Sequence, residues 1–223
     1  MKKRFCMLLA LMLAMILAGC SGCSGCNGCS SCSACSSAPA LETVYDRIVE
    51  LIEGSKEINT VLYGAGLPVY GKDSKYADYQ MIYGEDTHAV VYEYVSEFAK
   101  FRSDTEIKTA AEKIYTAECL APFYSSAFDG LAISDSQNGM VVAKARYDVG
   151  SAQLRQLSNM ENGLSGMRIY DYSTIEIINP STADLFRIQV DTWLEDTPWQ
   201  IEQVTLSFAL AEDGQWYLNT FTG

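Results

Sequence analysis

Apolar residues change their spacing at Gly130, and that one change constrains the fold more than anything else in the 223 residues. Before Gly130 the period is helical. Val44, Ile48, Leu51 and Ile52 form a stripe between Leu41 and Glu53, with Gly54 expected to end it. A short second helix or turn carries Ile58, Val61 and Leu62, and Gly64-Ala65-Gly66-Leu67-Pro68 then breaks the pattern ahead of a tyrosine-rich connector running to Gly84. Past Asp86 and Thr87, either of which can cap, Val90, Val91, Tyr94, Val95, Phe98 and Phe101 fall on one helical face. Ser103-Asp104-Thr105-Glu106 reads as a capping box, in which the serine accepts a bond from an orphan N–H and the glutamate reaches back. Ile107, Ala110, Ala111, Ile114 and Tyr115 follow at helical spacing. A further helix covers Cys119 to Phe128, with Pro122 restricting where it begins and Asp129-Gly130 ending it.

Beyond Gly130 the period is two. Val141, Ala143, Ala145, Tyr147 and Val149 alternate with more polar neighbours, as do Phe186, Ile188, Val190, Thr192 and Leu194, and then Val204, Leu206, Phe208 and Leu210. Asn138-Gly139 is a type I′ hairpin signal, and Asn179-Pro180, Asp196-Thr197-Pro198 and Glu212-Asp213-Gly214 supply other turns. Strands are expected near 131–135, 140–149, 167–178, 184–195, 199–211 and 215–221, all in one antiparallel sheet, with Gly150 to Gly166 as a long excursion between strands. Helices over 41–128 followed by a sheet over 131–221 make an α+β domain, and 41–223 is long enough for one domain with a sizeable core.

The amino terminus is an address. Lys2, Lys3 and Arg4 precede an apolar run from Phe5 to Ala18, whose fourteen residues are too few to span a bilayer comfortably. The run ends in Leu17-Ala18-Gly19-Cys20, which resembles the lipobox of bacterial lipoproteins. That resemblance implies a signal peptide over 1–19, a diacylglyceryl thioether on Cys20 as mature residue 1, and a protein tethered to the extracellular face of the cytoplasmic membrane. Two acyl chains anchor durably where one does not.

From Cys20 the cysteines recur every third residue, as Cys23, Cys26, Cys29, Cys32 and Cys35, separated only by Ser, Gly, Asn and Ala. Two readings stand. Residues 20–40 are a disordered, flexible tether whose thiols are idle or oxidised, or the thiols line one side of an extended chain and collect a soft ion such as Cu(I) or zinc. Tetrahedral zinc sites pair two Cys-x-x-Cys knuckles across a longer loop, which is missing here.

The chain carries 16 Lys and Arg against 28 Asp and Glu, and three of those cations lie at positions 2–4, so the part beyond residue 19 has 13 against 28, a net of −15. A nucleic-acid partner is excluded on that charge. The acidic domain is repelled by anionic lipid and suits a neutral or basic partner. Catalytic motifs are missing: no Gly-x-Ser-x-Gly elbow, phosphate loop or His-Glu-x-x-His helix occurs, and His88 is the single histidine. Cys119 sits among Leu120, Ala121 and Phe123 as a small apolar residue would. Asp171, Glu176, Asp191 and Glu202 lie on expected strands, where a carboxylate pair could flank a glycosidic bond, but spacing alone does not pair them and solvated strand faces account for them. No enzyme and no cofactor is expected. Seven of the 14 tyrosines fall between Tyr63 and Tyr94, and Tyr70, Tyr76, Tyr79 and Tyr83 are candidates for a sugar- or peptide-binding surface, the alternative being staples that hold an irregular connector.

The helices from Phe101 to Phe128 and the closing hairpin Ala211-Glu212-Asp213-Gly214-Gln215-Trp216-Tyr217-Leu218 look like the cystatin-like and NTF2-like folds. More narrowly, Tyr115-Thr116-Ala117-Glu118 and Glu212-Asp213-Gly214-Gln215-Trp216 are similar to segments of the IseA family, secreted inhibitors of cell-wall DL-endopeptidases. Over roughly residues 85–223 the resemblance implies a non-catalytic binding or inhibitory module of a Gram-positive envelope, its partner a cell-wall protein or peptidoglycan fragment. No inhibitory residue carries over. The alternative is a small-ligand or metal receptor using a cavity between sheet and helices or the thiol ladder.

Overall fold

The computed structural model describes residues 38–71, 75, 77–81, 89–135, 139–143, 145–149, 153–158, 163 and 167–223. The signal peptide, the cysteine ladder, Tyr76, Tyr83, His88 and Asn138 lie outside them. Helix α1 (Leu41–Leu62) opens the fold. Its stripe continues past the expected end, with Ser55, Ile58, Asn59, Val61 and Leu62 buried beside Val44, Ile48, Leu51 and Ile52. Gly54 does not stop it. A glycine inside a helix costs about 1 kcal/mol, less than burying the two further turns returns. A Cβ at this position would stand 2.6 Å from the Ile114 Cδ1 methyl, so a larger residue requires that side chain to shift.

Strands β7 (Arg168–Ile178), β8 (Leu185–Leu194), β9 (Glu202–Leu210) and β10 (Trp216–Leu218) pair in the antiparallel order β10-β9-β8-β7. Period-two alternation puts Phe186, Ile188, Val190, Leu206, Phe208 and Leu218 on one face, all buried against α1 in a common core. Helix α1 touches β7 and β10, the two edge strands, so it runs across the sheet. Cross-strand partners Phe186 and Phe208 stack with ring centroids 4.9 Å apart, and Trp216 meets Phe186 edge-on at 4.6 Å.

Helix α2 (Asp104–Ala111) starts with the expected box: Ser103 Oγ accepts from Glu106 N at 3.2 Å and Glu106 Oε2 accepts from Arg102 N at 2.7 Å. It ends sooner than the period suggests, because Tyr115 leaves the helix to bridge Leu218 of β10, with Leu218 N donating to Ile114 O and Thr116 N to Leu218 O. Thr116 then caps helix α3 (Ala117–Tyr124), which widens into a π turn (Ser125–Asp129) and stops at Gly130.

Further expectations fail. Val90 to Val95 was expected on a helix, yet β2 (Ala89–Tyr94) is a strand paired with β1 (Ala77–Met81). A short run of Val and Tyr satisfies either period, and the partner strands decide. The excursion from Gly150 to Gly166 contributes β6 (Arg155–Leu157), which joins β2 to β5 (Tyr147–Asp148) in a second sheet, order β1-β2-β6-β5. The expected strand 140–149 is accordingly split: β4 (Gly139–Ala143) pairs only with β3 (Leu131–Asp135), and its neighbour β5 belongs elsewhere. Among the described residues the strands therefore form two four-stranded sheets and a hairpin, and the order is not helices first. In the hairpin Gly139 pairs with Asp135, so the connection is residues 136–138 and not a two-residue turn.

Gln156 ties the second sheet to the end of α1. Its Oε1 accepts from Leu67 N at 2.6 Å and its Nε2 donates to Leu67 O at 3.2 Å. Gly66 allows this approach, having φ of 82° and no Cβ to strike the Gln156 amide.

A buried polar knot holds the carboxyl terminus. Thr222 Oγ1 lies 2.5 Å from Ser55 Oγ, 2.8 Å from Asn59 Nδ2 and 2.9 Å from Tyr115 OH. Ser55 donates its own proton to Ile52 O and Tyr115 donates to Asn59 Oδ1, so Thr222 is the donor to one of these two hydroxyls and accepts from Asn59 Nδ2. Removing that hydroxyl with little change of shape strands two buried partners. Thr222→Val is expected to cost about 1–3 kcal/mol in urea unfolding, with Thr222→Ser close to wild type; equal stability of all three would show that the knot is solvated.

Candidate functional site

Tyr70, expected to help form a binding surface, is a staple: its hydroxyl accepts from Glu97 N at 3.1 Å and its N–H donates to Tyr94 O at 3.2 Å. Tyr79 stands on β1 opposite Val91. Tyr92, deeply buried, donates to Ala145 O, and Tyr63 meets Phe123 and Phe221 edge-on. Tyr63, Tyr70 and Tyr92 thus tie chain segments together. Cys119 is half-buried and packs on the core, where burial pushes its thiol up to about 11, so at neutral pH it carries a proton and lacks nucleophilic character.

Space between α1 and the β7–β10 sheet is filled by the side chains of the core. A shallow hollow of about 410 Å³ lies elsewhere, between Val95, Glu97, Gln153 and the start of α2 at Arg102, Ser103 and Glu106. Among the described residues no group of three or more His, Cys, Asp and Glu could hold a metal ion.

The carboxylates singled out on the strands lead to a different place. In β8 the inward series Phe186, Ile188, Val190 and Thr192 leaves Arg187, Gln189, Asp191 and Trp193 on the opposite, outer face. Register then carries rows across the sheet. Ile169 lies beside Trp193; Asp171 lies beside Asp191, which lies beside Gln203; Glu176 lies beside Gln189, which lies beside Thr205. Glu202 pairs with Thr192 and belongs to the inner phase, where it meets Arg168 at 3.2 Å. The four carboxylates are therefore divided between faces, and Asp171 and Asp191 are the two brought directly opposite.

A bulge between Asp171 and Glu176 fixes their surroundings. Thr174 Oγ1 donates to Asp171 O and accepts from Asp191 N, both at 2.8 Å. Asp171 Oδ1 accepts from Ser173 Oγ at 2.6 Å and Ser173 N at 3.0 Å, and Asp191 Oδ1 accepts from Gln203 Nε2 at 3.5 Å. No cation pairs with either carboxylate among the described residues. Two like charges facing each other across a strand pair repel.

At the same end of the sheet the outer face turns apolar. Ile201 precedes Glu202 as Trp193 follows Thr192, so both fall in the outer phase, and Glu195 N donates to Met167 O beside them. Trp199 is 74% exposed, Ile201 66% and Met167 53%, with Trp193 half-buried. Sequence reasoning passed over these four. The signal was legible: Trp193 sits in the polar phase of β8, with Arg187, Gln189 and Asp191, where no core residue is needed. The arrangement is an open surface that is both acidic and apolar.

No protein-family model, curated protein or solved structure matches this chain.

Proposed function

We propose that the chain is a lipid-anchored, non-catalytic binding module of a Gram-positive cell envelope, inhibitory toward a peptidoglycan hydrolase, on a cystatin-like or NTF2-like plan. The observation that carries the binding reading is the outer face of the β7–β10 sheet, where the exposed Ile201 and the half-buried Trp193 stand next to the row of Asp171 and Asp191, with the exposed Trp199 in the turn that follows β8. A monomeric surface gains nothing from such a grouping. Support for the fold plan is α1 lying across an antiparallel meander. Support for the anchor is the basic start, the short apolar run and Leu17-Ala18-Gly19-Cys20.

Two measurements test this reading. Adding the chain to NlpC/P60-type endopeptidases should slow hydrolysis of purified wall; undiminished hydrolysis across such enzymes removes the inhibitory role. Cys20→Ala should abolish incorporation of alkyne palmitate and release the protein from the membrane fraction, since only a thiol receives the thioether and Cys20-Ser21-Gly22 puts no apolar residue three positions ahead of Cys23. Continued labelling of Cys20→Ala would assign lipidation to a later cysteine.

A further inference from the structure

Resting on the binding-module reading, we infer that the outer face of the β7–β10 sheet docks a basic polypeptide surface, an Arg or Lys of the partner entering between Asp171 and Asp191 while its aliphatic arm and neighbours cover Trp193 and Ile201. Charge complementarity argues for this occupant. Asp171 and Asp191 are register partners, so the two side chains share one cross-strand row on the outer face, and the cation nearest along this face, Arg187, is two outer positions down β8. Gln203 and Ser173 each occupy one oxygen of the pair, which leaves the repulsion in place. A guanidinium or ammonium group removes it.

The rest of the face narrows the partner further. A polyanion is repelled by a chain with a net of −15 beyond residue 19. A neutral glycan would stack on the tryptophans and leave the opposed carboxylates as they are. Two of the three exposed apolar side chains at this end of the sheet, Met167 and Ile201, are aliphatic, offering no flat ring for a sugar but good packing for leucine, methionine or the stem of an arginine. Tryptophan at the centre of a patch with charge at one side is also the composition of a protein-binding hot spot.

The full lipidated chain in detergent micelles would be titrated with an octapeptide of alternating Arg and Leu, its Glu and Leu counterpart, and chitohexaose as a cationic glycan. The expected result is saturable binding of the Arg peptide alone, weakened about tenfold or more by D171N/D191N and by W193A. The control E50Q/E57Q, which removes the same charge from exposed α1 positions, should leave binding unchanged. Because the asparagines remove the repulsion, D171N/D191N should also melt about 1–3 °C higher at low salt, which shows that it is folded. Equal weakening by E50Q/E57Q would reduce the effect to net charge and overturn the inference. So would tighter binding of chitohexaose, or affinity for the Arg peptide that neither face variant alters. If the chain inhibits an endopeptidase and W193A and D171N/D191N inhibit it equally well, this docking face is wrong while the binding-module reading stands.

Discussion

Raising the pH above 10 is expected to unfold the domain in one cooperative step, with tyrosine ionisation as the cause. Tyr147 is fully buried and donates to Val61 O at 2.8 Å; burial pushes its hydroxyl up to about 12, with Arg146 offsetting part of the rise. Tyr92 donates to Ala145 O and is raised to about 12 by burial and then by Asp148. Tyr170, which donates to Thr222 O, and Tyr115, in the knot with Asn59, are also raised by burial. Ionisation of any of these buries a charge and deletes the proton that a carbonyl or amide oxygen was accepting. An unfolded tyrosine titrates near 10, so below that pH both states hold their protons and the stability is intact. As pH climbs toward 12 the unfolded chain loses protons that the folded one retains, and stability falls. For Tyr147 alone a rise of this size is worth roughly 3 kcal/mol, against about 5–15 kcal/mol for a whole domain. The last part of the phenolate absorbance, from the buried tyrosines, should therefore appear together with the loss of circular dichroism between about pH 10 and 12. Phenolate absorbance from all 14 tyrosines with unchanged circular dichroism would mean that these hydroxyls reach water in the native state.

Phe208→Ala should be the most damaging single truncation. The ring is fully buried, stacks on Phe186, and stands opposite Leu218 of β10, so it joins the middle of the sheet to the edge strand on which Tyr115 also bridges. Loss of a buried phenylalanine costs about 3–5 kcal/mol through lost transfer energy and the cavity left behind. Helix α1 presses on the same core and cannot collapse into the gap without moving off β7 and β10. Guanidinium titrations should show a lower midpoint with an unchanged slope. Phe98→Ala, at a side chain 85% exposed, is the matched control and should stay within about 0.5 kcal/mol of wild type. A cost below about 1 kcal/mol for Phe208→Ala would show that this layer repacks.

Local patterns determined a good deal of the architecture. The Ser103 capping box, the stop at Gly130, the alternation of β8 and β9, and the stripe of α1 all follow from interactions within a few residues or from one amphipathic face. Such signals are readable because cap, period and glycine conformation act on near neighbours. The same alternation put Asp191 in the outer phase of β8, since an outer phase is defined once the inner one is known.

Tertiary structure decided the rest, wherever a segment fitted two periods or its partner was far away in the chain. Ala89–Tyr94 became a strand because β1 and β6 were there to receive its hydrogen bonds, and Tyr115 left its helix because Leu218 offered a bridge. The unbroken rhythm of residues 140–149 could not announce that β4 and β5 would serve different sheets. Nor could it be read that Asp171 would face Asp191 while Glu202 turned inward, for strand register is set by which faces the core claims and by the Thr174 bulge, contacts between residues far apart in the chain.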